Sequence, residues 1–548
     1  MVKRIMEPSS MSSDSSPQQS TTLPAADPLS LTFYRQSARR FIFSNNVPLA
    51  SLVPGEVVDL DLMHPIVGDA SRPCIYALQN GALEISSSSA SAVSQSARYV
   101  GGVNPYAVYE VDVQRIDSGS PAAGQSLEVV LEFTTADKQT HLQIAAIYPS
   151  AGAAFEVRIL KNGLVARRSP LFTGDAPEAP YKLHVQLSGV SLNASYTKNG
   201  QTVYLGRIHP NDSFREQLDL RRRQTALGST FNILTILPPG SRVILGRVSS
   251  YLTAGLGQAD IRNVTYRDGA PYIEDNRLWF TFTARGIGTG DCSQGVMSLD
   301  PSTSDFRFEG TIVFDHGDGL LRNDYASHLF YDEVARVWRA WVCDFGGSAN
   351  LEGRGPTGLI VAESPRDPRR GFTVMRASVL SKITGGRHED PCGFYDAAVG
   401  KWRLITTAMQ NSFRATLFES ANWNGPFARV GNPVTHNSTG TLIQKIGNSR
   451  YVLAGSDEGA IFVYSYPELL ELGKLKMDLP PFTPGRNSRV WPNIFPLPAG
   501  YPARYMAFMM DRTNFPGVTG DTWSYGGLYI YWAFTDNISS TDYEFALE

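Results

Sequence analysis

The sequence has little cysteine, no long apolar run, no excess of either charge and almost no helical periodicity. Each shortage removes a class of protein. The four cysteines of this 548-residue chain (Cys74, Cys292, Cys343, Cys392) stand singly, with no Cys-x-x-Cys pair. That spacing excludes a zinc ribbon or finger and predicts four buried thiols rather than a disulfide frame. No window of about 18 apolar residues occurs, so no spanning helix and no membrane partner are expected. Lys and Arg total 49 against 52 Asp and Glu, a net charge of -3. Such a balance offers no electrostatic footprint for nucleic acid. Residues 1–29 are rich in Ser, Thr, Pro and Gln and lack the apolar stretch of a signal peptide. They predict a disordered tail and a cytoplasmic protein. The Gly-rich GTGDCSQG at 288–295 has neither the Lys nor the following helix of a phosphate loop, which excludes nucleotide binding there.

What the sequence does hold is aromatic residues (11%) together with 49 Gly and 34 Pro, a mixture that favours many short strands joined by turns. Residues 30–257 alternate apolar with polar in runs such as YAVYEVDVQRI (106–116), SLEVVLEFTT (126–135) and YKLHVQLSG (181–189). Two runs end in Lys-Asn-Gly, at 161–163 and 198–200, where Asn and Gly accept the positive φ of a tight hairpin. The pattern predicts an antiparallel β-sandwich, and YKLHVQLSGVSLNASYTKNGQTVYLGRI resembles the paired back strands of concanavalin-like jelly rolls. This domain is expected to bind sugar, wall one side of a neighbouring site, or join copies into a homo-oligomer.

From residue 258 to 548 a different organisation repeats. FYDEVARVWRAW and FYDAAVGKWRLI share one form: an apolar strand, an Asp-led turn, then a Trp-bearing strand. Related units begin at NRLWFTFTARG, TLIQKIGNSRYVLAGS and YMAFMMDR. Five such units, each worth about four strands, predict an all-β protein in which a five-bladed β-propeller follows the sandwich. Asp332 and Asp396, in the FYD motifs, are expected to be turn residues, and RDPRRG (366–371) a surface turn.

In a propeller the innermost strands converge on one axis, so the residues entering each blade meet in a shared pocket. The first blade offers Asp260 and Asp268; the second Arg322, Asp324 and His328; the third His388, Glu389 and Asp390. The fourth offers His436 without an acid, and the fifth Arg486, Arg489 and Trp491. Carboxylates gathered near an axis demand compensating cations, and glycoside cleavage needs such a set: one ionised carboxylate, one proton donor, one group to tune pKa.

At these residues the chain resembles the five-bladed glycosidase superfamily that includes glycoside hydrolase family 43. The stretch HEDPCGFYDAAVGKWRL is similar to its third-blade pattern, which implies Asp390 as the carboxylate that tunes the acid. ADIRNVTYRDG is similar to the first-blade pattern and leaves Asp260 and Asp268 both open as base or nucleophile. The fourth-blade position at which that family keeps its acid reads Ser438-Thr439-Gly440, so Glu389, His436 or Asp324 is left to donate the proton. Arg322, His328, His388, Arg489 and Trp491 are the expected substrate-binding residues. The resemblance implies no required cofactor and leaves room for a structural Ca²⁺ on the axis. The expected function is a glycoside hydrolase or transglycosylase on an oligo- or polysaccharide. The alternatives are a polysaccharide lyase acting on a uronic acid and a non-catalytic carbohydrate-binding protein.

Overall fold

The computed structural model describes residues 27–535 except 57–65, 68–71, 120, 150–152, 174, 209–217, 347–354, 381, 410–411, 498–500 and 502. Of the predicted tail, 1–26 lies outside the described residues. The protein is all-β, a sandwich followed by a five-bladed propeller.

The sandwich packs a seven-stranded sheet on an eight-stranded one. Alternation does what the sequence predicts. Leu127, Val129, Leu131 and Phe133 of one sheet face Tyr109, Val111 and Val113 of the other within a single apolar core. Tyr109 sits edge-on to Phe133 and Phe231, with ring centroids 4.6 and 4.7 Å away. Both Lys-Asn-Gly turns close hairpins through positive φ at Asn162 and Gly163 and at Asn199 and Gly200.

Blades one to four are each built on a four-stranded antiparallel meander, and blade five joins three consecutive antiparallel strands to two strands from elsewhere in the chain. The innermost strands are Gly257–Asn263, Tyr325–Asp332, His388–Asp396, Thr439–Ile446 and Asn493–Pro496. Blades one and two are fused through their outer strands, Asp305–Asp315 and Gly371–Val379, which pair in parallel. Asp332 and Asp396 are turn residues: Asp332 accepts from the amides of Val334 and Ala335, and Asp396 from that of Ala398.

Two details depart from the sequence reading. The strand Leu31–Arg39, expected in the sandwich, is the fourth strand of blade five, with Lys476–Met477 paired in parallel along its outer edge. It runs antiparallel to Leu528–Thr535, with Leu31 opposite Thr535 and Arg39 opposite Leu528. Leu31 and Phe33 are buried there with Tyr529, Tyr531 and Ala533. An alternating strand satisfies either sheet, and only the partner's free edge decides between them. The RDPRRG segment is also more than a surface turn. Arg369 is buried against the rings of Trp279, Tyr272 and Trp338 at 4.1 to 4.7 Å, and it pairs with Asp367 and Glu274.

The sandwich docks on the propeller through a continuous apolar core. Around it, Asp291 of blade one accepts from Ser191 at 2.5 Å and pairs with Arg207 at 3.3 Å. Tyr106 donates to the carbonyl of Leu321.

Candidate active site

Four of the five innermost strands carry the same irregularity near their start. The register slips between Ala259 and Arg262, between Tyr325 and His328, between Glu389 and Cys392, and between Thr439 and Leu442. Within each slip one residue has a left-handed backbone: Asp260 (φ 51°), Ala326 (φ 57°), Asp390 (φ 55°) and Gly440 (φ 60°). These are β-bulges at pseudo-equivalent positions. A bulge re-aims a side chain at the cost of a residue in a sparsely populated region, which Asp tolerates better than most. Blades one and three spend this device on a carboxylate each.

Asp260 is buried and ion-paired with the buried Arg285, whose Nη2 also donates to the Tyr525 hydroxyl at 3.0 Å. Burial pulls the Arg285 guanidinium down, but Asp260, together with Tyr525, Cys292 and Tyr325, raises it on balance. Asp390 lies in the third blade. Burial pushes its carboxyl up to about 6, helped by the Asp260 charge; the Gly440 amide, donating to Oδ2 at 2.8 Å, and Arg262 oppose the rise. The Cys343 thiol, which accepts from the Asp390 amide at 3.1 Å, is pushed up by burial and by the charges of Asp390, Glu389 and Asp260. The charges of three carboxylates, from the first and third blades, thus act on one buried thiol.

Arg262 floors this site. From blade one its guanidinium reaches across the axis, donating to the carbonyl of Thr441 in blade four at 2.8 Å and that of Asp390 in blade three at 3.2 Å. The axial Ca²⁺ that the resemblance allows would need such oxygens, and a guanidinium holds them. These residues do not fit the ion. Among the described residues no group of three or more His, Cys, Asp or Glu is placed to hold a metal.

At the fourth bulge the acid is absent for a steric reason. A Cβ on Gly440 would overlap the Trp491 indole, and that indole lies 4.5 Å from the Arg262 guanidinium. Trp491 is thus buried between Arg262 and Gly440 and is not the exposed sugar platform expected of it.

Several other expected site residues lie elsewhere. His436 stacks on Phe462 at 3.8 Å and bonds Glu458 and Glu471 at 2.7 and 3.0 Å, toward the outer strands of blade four. A ring fixed between two outer carboxylates cannot protonate a group at the axis. His436→Ala is expected to leave turnover unchanged within about twofold in a steady-state assay. Asp268 caps a turn, accepting from the Ala270 amide at 2.9 Å, and rims a cavity of about 410 Å³ at the opposite end of the channel, below Arg262. Of the two first-blade acids, Asp260 is the one whose charge acts on Asp390. Asp324 accepts from the Gly346 amide at 2.8 Å, and its charge reaches Tyr106 at the sandwich interface. Arg322 is bound to Asp318 at 2.6 Å, away from the axis. Its partner sits four residues earlier in the same loop, a local pairing that competes with any ligand.

His328 accepts the Gly393 amide on Nδ1 at 3.1 Å, which leaves Nε2 to donate to Thr265 at 3.0 Å. Burial holds it neutral, as a strut between blades above the lower cavity. Burial also pushes His388 down to about 4; it faces a separate cavity of about 260 Å³ inside blade three. Arg489 remains at the rim of the site, paired with Asp457 at 3.0 Å and within electrostatic reach of Asp390. Sequence reading missed Arg262, Arg285 and Tyr525. The usable signal was an arginine standing in an otherwise apolar strand, as at the end of NRLWFTFTARG.

No protein-family profile matches the chain, and no curated protein matches it in sequence. Solved structures do. A glycoside hydrolase family 43 enzyme from Xanthomonas citri, complexed with xylose, is 10% identical, covers 51% of this chain and 87% of its own, with a TM-score of 0.34. The catalytic domain of a family 62 α-L-arabinofuranosidase from Coprinopsis cinerea is 12% identical, covering 51% and 91%, with a TM-score of 0.33. A lectin from Bauhinia forficata in complex with GalNAc is 11% identical, covering 37% and 98%, with a TM-score of 0.24.

Proposed function

We propose that the propeller is a glycoside hydrolase whose chemistry runs on Asp260 and Asp390. The observation that carries this is a pair of buried carboxylates on equivalent bulges whose surroundings treat them oppositely. Asp260 is ion-paired to a buried arginine, whereas Asp390 is pushed up to about 6. A carboxylate held against a guanidinium suits the base or nucleophile, and a buried one that keeps its proton to about 6 suits the proton carrier. Asp390 Oδ2 accepts the Gly440 amide, so Oδ1 is the atom that carries the proton to the leaving oxygen. The role that resemblance gave Asp390, tuning a separate acid, passes to donating the proton itself. Glu389, beside it, is the remaining acid at the site.

The test is a panel of furanosides and pyranosides, with reducing-sugar release read against pH. Turnover is expected to fall as pH rises through about 6, where Asp390 loses its proton. Asp390→Asn is expected to lower turnover by at least about a hundredfold and to remove that limb. Full activity in Asp390→Asn would sink the assignment.

Stability supplies an independent reading of the same group. The folded pKa lies above the ordinary 3.8, so between those values the folded chain keeps a proton that the unfolded chain has released. The contribution therefore favours folding at low pH and is lost as pH rises through about 6. Asp390→Asn, neutral throughout, should gain on the order of 2 kcal/mol relative to the parent at about pH 7.5 and nothing at about pH 4, measured by urea unfolding.

A second reading, a carbohydrate-binding protein without turnover, is favoured by one observation. Trp491 fills the space where a fourth-blade acid would stand. Saccharide binding with no product from any member of the panel would select it.

A further inference from the structure

We infer that the saccharide taken at this site bears an anionic substituent, a carboxylate or a sulfate ester, held by arginines of blade five; the inference rests on the carbohydrate reading above. Three guanidinium groups crowd one ring. Arg285, Arg486 and Arg512 lie 4.6, 4.9 and 4.8 Å from the centroid of Tyr525. Arg489 extends the row, since Arg512 acts electrostatically on both Arg486 and Arg489, and Arg489 in turn is in reach of Asp390.

The protein compensates this charge poorly. Arg285 has the buried Asp260, but the partner of Arg486 is Asp521, 2.9 Å away and 89% exposed, so solvent screens the pair. Arg512 bonds the neutral Asn487 at 2.8 Å, and among the described residues no carboxylate lies within salt-bridge reach of it. Arg486, Arg489 and Arg512 each carry a buried Nε without a hydrogen-bond partner among the described residues. Cations on neighbouring loops repel one another, and each buried donor left unmade costs free energy. A structural staple for Tyr525 needs one guanidinium, not three.

What this arrangement suits is a planar or tetrahedral anion. The forks of Arg486 and Arg512 can each supply two parallel N–H donors to a carboxylate or sulfate, and such charge-assisted pairs are short and directional. The chain connects the anion site to the chemistry, because Arg285 touches both Tyr525 and Asp260. A charged substituent bound at the row therefore fixes the sugar beside the two carboxylates.

Binding and turnover separate the two claims. Calorimetric titration would use oligogalacturonates, sulfated galactan oligosaccharides and neutral galactan oligosaccharides of equal length, on the parent protein, Arg512→Gln and Arg512→Lys. The expected result is at least one anionic ligand bound about a hundredfold tighter than its neutral counterpart. Arg512→Gln should cut that preference at least about tenfold with neutral binding unchanged, and Arg512→Lys, which keeps the charge, should cut it less. Uronate and sulfate arms decide which anion is meant. Absence of any anionic preference, or a preference indifferent to Arg512→Gln in a variant with parental melting, overturns the inference. Anionic binding without cleavage sinks the hydrolase reading alone, and cleavage of neutral glycosides without anionic preference sinks the inference alone.

Discussion

Asp260→Ala is expected to lower the unfolding free energy by about 3–5 kcal/mol and to abolish turnover. The stability loss comes from what remains. Arg285 is fully buried and paired with Asp260; its other side-chain hydrogen bond among the described residues goes to the Tyr525 hydroxyl, and the rings of Trp523, Tyr525 and Tyr325 surround it. Removing the carboxylate leaves a guanidinium in a low-dielectric site with an aromatic ring and a phenol for company. The catalytic loss comes from the missing base or nucleophile. One variant cannot separate these, but a pair can. Asp260→Ala combined with Arg285→Met removes both charges and should recover most of the stability, since replacing a buried ion pair by apolar groups is often close to neutral. Turnover should stay absent. Urea unfolding and reducing-sugar release on both variants check the two halves separately, and restored turnover in the double variant would remove Asp260 from the mechanism.

Gly440→Glu carries the second large effect. On family resemblance it is the substitution that returns an acid to blade four, and it should instead damage the protein. Gly440 has φ 60°, where a side chain adds strain of about 1–2 kcal/mol. Any Cβ also overlaps the Trp491 indole, and overpacking a tight site costs a further 1–3 kcal/mol or about that. Displacing Trp491 would also uncover Arg262, the residue that ties blades one, three and four across the axis. A loss of about 2–5 kcal/mol is expected by urea unfolding, with no gain in turnover. Higher activity in Gly440→Glu would mean that the axis adapts and that the proton donor was indeed missing.

Much of this was legible in the sequence. Paired FYD turns and Trp strands announced the blades because the repeat has to rebuild the same meander each time, and Lys-Asn-Gly announced its hairpins because few residues accept that backbone. HEDPCGFYD pointed to Asp390. What the sequence could not show is which side of a strand faces the axis. Asp324 stands just before its innermost strand and Asp390 near the start of its own, yet the bulge falls on Ala326 in blade two and on Asp390 in blade three. A two-residue offset thus sends one acid toward the sandwich and the other to the centre. His436 was misplaced for a related reason: its partners, Glu458 in a blade-four turn and Glu471 on the outermost strand, are distant in sequence and fix the ring outward. Arg262 and Arg285 were passed over because a cation inside an apolar strand reads as a flaw until its acceptor across the axis is known.

The first strand of the protein has a bearing on when, rather than how, it folds. Leu31–Arg39 pairs in a sheet whose other members, Lys476–Met477, Asn493–Pro496, Tyr505–Met510 and Leu528–Thr535, all lie far downstream of it in the chain. On the ribosome the sandwich, local in sequence, can condense while that early strand waits unpaired with its apolar Leu31 and Phe33 exposed. A chain interrupted before those partners leaves Leu31–Arg39 as an open edge, which invites pairing with another molecule.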